Sequence, residues 1–532
     1  MSRKTKKEIK RVAGRVPETA QMRLLDPGPV VSKTSFESAG NGDFINPSPE
    51  TIYIGNQRLR DYLAQRDMEW VLRLRQLLEE SNLSAFNAGY QATGRKAIHP
   101  LIMLGLIVYG ILDGKWSLRE LESLAVRDLG AWWLCGGVQP DHSTVGNFIN
   151  RFRDILTEEY FISLTGMLIK KLHITGGDAA GDGTVIEAAA SRYKVIKAEA
   201  ARQAALEARE RAENHSGDEA VQKAAVKARM VAEAASEREA RVRRNRRDPK
   251  NLKISTTEPE AVFQPLKNGA TRPAYKPSVL ANAERMIVGK YIDPSDEIVA
   301  VRPMLEQYRR IFGALPERAM FDAGYHKHKV LVLSMELNLD VLCPSGRADQ
   351  GKWEKQNHAG KFSKREFHYD EERDVYICPA GQELIPRARE YRDGQDCVRY
   401  LCRSCKACEL RSRCTSAKRG RTIRRFEGDK LKEAMIEVFE NERAKRAYAQ
   451  RKAMVEPVIS EIRGLQKLNK FHRRGLEGVG VEFSLHCTAY NLKRAIRLEV
   501  RGLFRFVFVQ NRGKIRLWGL VGWLLTSSQE CS

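Results

Sequence analysis

The sequence predicts an α/β protein, a mixed sheet with flanking helices, preceded by an all-α region and interrupted by two insertions. Three observations carry that expectation. Residues 51–172 keep a helical spacing of apolar side chains, and residues 260–345 alternate strand-like with helix-like stretches. Two segments, 194–255 and 350–425, differ in composition from everything around them: one is a helical hairpin rich in Ala, Glu, Arg and Lys, the other is Cys-rich and basic.

Residues 1–50 are polar and without sustained periodicity, and read as a flexible basic arm. In the helical region Trp70, Leu72, Leu74, Leu77 and Leu78 fall near one stripe. His99-Pro100 opens an apolar helix through Leu112, with proline suited to a first turn. Ser117 and Glu120 stand at capping-box spacing. Asp141 or Ser143 caps a further helix, which carries Val145, Phe148, Ile149 and Phe152 on one side and Asn147, Arg151 and Arg153 on the other. Such a basic helix reads either as the recognition helix of a helix-turn-helix or as an ordinary packing helix.

Residues 173–497 hold the α/β unit. It begins with Ala179-Ala180-Gly181-Asp182-Gly183, where small residues surround one acid as in a buried strand. A buried carboxylate is costly without a cation or donors beside it. Asp-Gly is also a common hairpin dipeptide, so Asp182 alone reads as a turn residue or a metal ligand. The segment 194–255 is broken at Asn214-His215-Ser216-Gly217, which predicts two antiparallel helices ending in the basic cluster Arg241, Arg243, Arg244, Arg246 and Arg247. Residues 277–281 and 285–292 read as neighbouring strands, 298–312 as a helix, and 316–325 as a strand ending on Asp322. A helix at 328–337 and a strand at 339–343 complete a βαβ pattern, whose strand ends are where sites form. Residues 430–468 are again helical, with Pro457 expected to break or kink the chain beside Glu456. Residues 498–532 form a tail that alternates over 503–509 and turns at Asn511-Arg512-Gly513, as a terminal hairpin does.

The formal charge of +24 over 532 residues favours a polyanionic partner, by phosphate neutralisation and counterion release, although a membrane surface would also attract it. The longest apolar run, 101–112, is too short to span a bilayer, and no apolar segment follows the basic start at Met1. A cytoplasmic protein without membrane contact is expected. Six cysteines lie between Cys378 and Cys414, and Cys402-x2-Cys405-x2-Cys408-x5-Cys414 offers four thiolates for structural Zn²⁺, with reduced structural cysteines as the other reading. Arg411, Arg413, Lys418, Arg419, Arg421, Arg424 and Arg425 would give this insertion a DNA-contacting face.

Three acids stand out by context: Asp182 within a strand, Asp322 at a strand end, and Glu456 on a helix. Brought together, such oxygen ligands suit two Mg²⁺ or Mn²⁺ ions and displacement at phosphorus. Tyr448, Lys452, Glu456 and Arg463 recur at a spacing that one helix face accommodates, a phenol and cations flanking the acid.

These residues, with Gln139-Pro140-Asp141-His142-Ser143-Thr144-Val145, Phe321-Asp322-Ala323-Gly324-Tyr325, Val455-Glu456-Pro457-Val458 and Ala489-Tyr490-Asn491-Leu492-Lys493-Arg494, resemble bacterial insertion-sequence transposases of the DDE class. The resemblance implies an RNase H-like catalytic core and a helical N-terminal DNA-binding domain. It implies Asp182, Asp322 and Glu456 as the catalytic, metal-holding triad. The family's tyrosine, arginine, glutamate and lysine fall on Tyr448, Arg451, Glu456 and Arg463. The arginine-to-glutamate gap is one residue longer than usual, which leaves Lys452 as an alternative to Arg451, and Arg463 replaces a lysine. The implied partners are double-stranded DNA, as terminal inverted repeats and target, and a second copy of the chain in the DNA complex, at the nucleoid. A catalytically inactive DNA-binding derivative and a general RNase H-like nuclease are the rival readings.

Overall fold

The computed structural model describes residues 44–90, 96–244, 248–346, 361–392, 395–511 and 514–517. Most of the expected N-terminal arm lies outside them. In the helical region, α1 (Glu69–Glu79) buries Val71, Leu72, Leu74, Leu77 and Leu78, and Trp70 stacks on Tyr109. Helix α2 (Pro100–Asp113) is buried continuously from Pro100 to Ile111. His99 Nδ1 accepts the Leu101 N–H at its start, and Gly114 ends it at φ 70°, a left-handed turn that glycine adopts without strain. Ser117 and Glu120 form the expected capping box on α3 (Leu118–Arg127). Helix α4 (Leu129–Cys135) starts at Asp128, whose carboxylate accepts from Ala131 N–H and from the Tyr109 hydroxyl. Asp141 rather than Ser143 caps α5 (His142–Arg151), accepting the Thr144 N–H at 2.7 Å. The basic side of α5 is largely occupied: Arg151 donates to Gly89 and covers the Tyr90 ring, and Arg153 pairs with Glu477. Helix α6 (Tyr160–Lys171) leads into the sheet. No single helix among the described residues is long and apolar enough to cross a membrane.

The sheet begins with β1 (Ala179–Gly183). The small residues have a packing reason, because a side chain at Gly181 would collide with the Phe321 ring. The hairpin insertion follows as α7 (Ala198–Asn214) and α8 (Glu219–Arg244), raised on a two-stranded base of Val195–Lys197 and Lys253–Ser255. Its small core is mostly alanine: Ala198, Ala201, Val231, Ala235 and Ile254. Arg241 bonds Ser295, and Arg246 and Arg247 lie outside the described residues. Then come β2 (Thr271–Asn282), β3 (Ile287–Asp293), α9 (Val301–Phe312), β4 (Arg318–Met320), α10 (His328–Leu337) and β5 (Asp340–Leu342). The strand order is β3-β2-β1-β4-β5. Strand β2 is antiparallel to β1 and β3, whereas β4 is parallel to β1 and β5. Arg318 forks onto Asp178 at 2.9 and 2.8 Å, tying the start of β4 to the entry of β1.

The Cys-rich insertion is an antiparallel meander in sequence order: β6 (His368–Asp370), β7 (Val375–Ile377), β8 (Glu383–Arg392), β9 (Gln395–Cys402) and β10 (Thr422–Phe426). It has its own core, with Phe367, Tyr376, Leu384, Tyr400 and Ile423. Most of its cations serve that core. Arg421 donates to Cys414 and Phe362 carbonyls, Arg424 pairs with Glu390, and Arg425 lies over the Tyr369 ring. Lys418 and Arg419 remain exposed.

Four helices close the chain: α11 (Asp429–Val438), α12 (Glu442–Ala449), α13 (Arg451–Gly464) and α14 (Gly475–Val507). Two expectations need correction here. Pro457 lies inside α13, which runs through it unbroken. Proline denies the Ala453 carbonyl its usual helical N–H, and Arg285 Nε supplies a donor instead at 2.8 Å. The tail helix continues through Val507, so residues 503–507 are helical and the terminal hairpin is confined to Phe508–Asn511 and Lys514–Leu517. Helix α14 is the common support of both regions. Asn491 on it exchanges hydrogen bonds with the Ile287 backbone on β3 and donates to Thr165 on α6. Near its far end Glu499 takes a two-pronged contact from Arg73 on α1. Glu258 and Glu260 accept the Gly475 and Leu476 N–H groups, placing acids at the positive end of the helix dipole.

Glu482, buried on α14, accepts three backbone hydrogen bonds from His472 and Arg473. Burial pushes its pKa up to about 8, against the pull of those N–H groups and of the Arg473 charge. The folded state thus holds this proton more tightly than the unfolded chain, whose carboxyl titrates near 4.5. The linked stability is fullest below the unfolded value and is lost as pH rises through the folded one. Glu482→Gln cannot ionise, so its melting temperature is expected to gain on the wild type's between about pH 5 and about pH 8.5. Parallel melting curves across that range would remove Glu482 from the account.

Candidate active site

Asp182 is the fourth residue of β1, next to the antiparallel partner Val279 on β2. Asp322 follows β4 and caps the single turn Ala323–Tyr325, accepting the Gly324 N–H at 2.8 Å. Because β1 and β4 are adjacent and parallel, their carboxyl ends bring the two acids to one edge of the sheet. A third acid joins them from a place the sequence does not single out. Glu297 Oε1 and Asp322 Oδ1 lie 3.2 and 3.0 Å from the point where a Gly324 Cβ would stand. Glu297 Oε2 lies 3.2 Å from the corresponding point at Gly183, beside Asp182. The signal was one acid among three after β3. Asp293 and Asp296 accept from neighbouring backbone N–H groups and build the turn, which leaves Glu297 facing the cluster. Lys276 stands 3.4 Å from its carboxylate.

Burial pushes Asp182 up to about 6; the Arg451 charge opposes this, and the Asp322 and Glu297 charges add to it. Arg451, nearly sealed from solvent, reaches Asp182 Oδ1 at 3.3 Å and donates to the Gly181 carbonyl at 3.1 Å. The hydroxyls of Ser278 and Tyr325 are both buried beside the acids, within reach of each other. Oxygen donors crowded together at the cost of like-charge repulsion are the chemistry that a hard divalent cation relieves. Among the described residues no three His, Cys, Asp or Glu side chains are gathered so as to hold a metal ion as they stand. A cation entering here would share Asp182 with the guanidinium of Arg451.

The remaining predicted residues divide by depth. Tyr448, at the end of α12, packs edge-on against Phe439, and Arg451, Asp322 and Asp182 all act on its hydroxyl. Arg451 opens α13 and Arg463 closes it, the latter bonding Thr184 Oγ1 at 2.9 Å just beyond β1. Lys452 and Glu456 are exposed on the same helix. Between Arg451 and Lys452, only the former meets Asp182. The structure therefore gathers Asp182, Asp322, Glu297, Tyr448 and Arg451, and leaves Glu456 on the open side of α13. Of the four predicted zinc ligands, Cys402, Cys405 and Cys414 are buried and Cys408 partly so. Cys378 joins them on the wall of one small cavity, whereas Cys397 packs by Glu390 and Arg424.

Two family models match the chain. One, described as a transposase DDE domain, covers residues 377–496, and the other, described as a transposase domain (DUF772), covers residues 58–151. The first includes Tyr448, Arg451, Glu456 and Arg463, and the second spans α1 to α5. No curated protein matches the chain.

The contact between Arg285 and Ala453 that carries α13 through Pro457 is open to a double-mutant cycle. Arg285→Ala should cost about 0.5–1.5 kcal/mol, the net worth of one hydrogen bond. In a Pro457→Ala background the helix regains its own N–H donor at Ala453, and most of that cost should vanish. Equal costs in both backgrounds, read by urea unfolding, would mean that Arg285 acts elsewhere.

Proposed function

We propose that the chain, which matches two transposase family models, acts as an insertion-sequence transposase of the DDE class: it binds the inverted-repeat ends of its element, cuts them and joins the freed strand to target DNA. The observation that carries this reading is the meeting of Asp182 and Asp322 at adjacent parallel strand ends, with α13 packed across them through Arg451. The strand order, three antiparallel then two parallel strands around β1, supports an RNase H-like core.

In this reading Asp182 and Asp322 would hold two Mg²⁺ or Mn²⁺ ions, and Glu456, exposed on α13, is the third ligand that the resemblance implies. Bound there, the ions supply charge stabilisation to the attacking and leaving oxygens of an in-line displacement at phosphorus. Arg451 favours the ionised form of Asp182 against its burial and bonds the neighbouring Gly181 carbonyl. Tyr448 and Arg463 shape the walls of the site, and exposed Lys452 offers a charge to the DNA backbone. Glu297 acts behind the ligands, setting the charge that Asp182 feels. The net charge of +24 supplies the long-range attraction to DNA, and two copies of the chain pair the two ends.

The test is cleavage and joining of duplexes carrying the element's ends, with Mg²⁺ present. Asp322→Ala and Glu456→Gln should each lose roughly a thousandfold or more in cutting, several kcal/mol of lost stabilisation, while still retarding end DNA in a gel. Glu297→Gln should retain measurable cutting. An Asp322→Ala protein that cuts at the wild-type rate would sink the proposal. Cutting of unrelated DNA without joining would favour a general nuclease, and binding without cutting by the wild type an inactive derivative.

A further inference from the structure

Outside the acidic cluster, the densest group of metal-binding side chains is in the Cys-rich insertion. Five cysteines, Cys378, Cys402, Cys405, Cys408 and Cys414, line a single cavity of about 20 Å³. A space of that size holds about one water-sized particle. None of the five is in a disulfide.

The backbone is folded around two of the sulfurs. Residues 378–382 form a tight hairpin: Cys378 N–H donates to the Gln382 carbonyl, Gly381 N–H to the Cys378 carbonyl, and Gln382 N–H points at Cys378 Sγ at 3.3 Å. Arg421 N–H points at Cys405 Sγ, also at 3.3 Å. Gly420, at φ 97°, lets the chain pass so close that an added Cβ would stand 3.2 Å from the same sulfur. N–H groups aimed at sulfur are weak partners for a thiol and good ones for a thiolate, because hydrogen bonds to a charged acceptor are the stronger kind. Cys414, buried at the end of a short helix, has Cys405, Cys378 and Cys408 as thiol neighbours, and Cys402 is hydrogen-bonded to Cys405 and also neighbours Cys378. Three thiols thus neighbour Cys414, and Cys402, the last residue of β9, lines the same cavity with its thiol bonded to one of them, Cys405.

We propose that Cys378, Cys405, Cys408 and Cys414 bind one structural zinc ion, with Cys402 beside the site rather than in it. Zinc favours four sulfur ligands in a tetrahedron at about 2.3 Å, so the ion would draw the thiols inward from the cavity wall, each losing its proton to solvent. This set replaces Cys402, the nearest candidate by spacing, with a residue on a separate hairpin. The ion therefore pins the turn after β7 to the segment between β9 and β10, across a meander whose own core is small. The metal is structural and independent of the chemistry proposed at Asp182 and Asp322.

The test uses the full chain, purified without chelator. Metal analysis is expected to find one zinc per chain, and replacement by Co²⁺ should give the absorption of a tetrahedral tetrathiolate site. Cys378→Ser should lose most of the metal, and Cys402→Ser should keep it. Cys378→His retains a ligand, so it should keep the metal and shift the cobalt spectrum, which covers the case that the serine variant does not fold. Wild-type protein without stoichiometric metal would overturn the site. Loss of metal from Cys402→Ser with retention in Cys378→Ser would overturn the ligand set.

Discussion

The contact on which the α/β half depends is that of Arg451 with Asp182 and the Gly181 carbonyl. A carboxylate four residues into a central strand sits where ionisation is costly, and two further acids raise that cost. The guanidinium meets this with one group that also bonds the strand's backbone. The consequence is geometric. Helix α13 is fixed to β1 at its first residue and again at Arg463 through Thr184, so its whole length lies along the strand that carries the acid. The side chains between them, Val455, Val458, Ile459 and Ile462, are buried as a result, and Lys452 and Glu456 are turned outward.

A second constraint joins this unit to the helical region. Helix α14 is long enough to touch α1, α6 and β3, and its buried polar residues find specific partners along it. Asn491 satisfies both backbone groups of Ile287 at an irregular stretch of the β2–β3 pairing, where a bulge leaves the ladder incomplete. Glu258 and Glu260, from the segment between the hairpin insertion and β2, hold the start of the same helix. What those positions require is a negative charge within reach of two N–H groups at the helix start. The insertions are tied less firmly: the helical hairpin has an alanine core, and the Cys-rich meander a small aromatic one.

Much of this was legible in the residues. Apolar spacing gave α1, α2 and the strands at 277–281 and 285–292, and the capping pattern gave the start of α3, because these signals act over a few residues. Asp182 and Asp322 were legible as strand-borne acids for the same reason. Glu297 was not, since its neighbours Asp293 and Asp296 are also acidic, and only the turn geometry tells which of the three faces the site. Pro457 misled: its local effect on a helix is real, and a side chain 172 residues away in sequence offsets it.

The sequence by itself determined the kinds of element, their order, the basic surplus and the two strand-borne acids, all properties of composition and short-range pattern. Tertiary structure alone decided which residues share a site. It set Arg451 rather than Lys452 on Asp182, brought Glu297 to Asp322, and put Cys378 and Cys414 on the wall of one cavity. The physical reason is the same in each case. A charge or a sulfur is placed by the backbone that carries it, and only the packing of that backbone against distant segments says which partner stands within reach of Asp182.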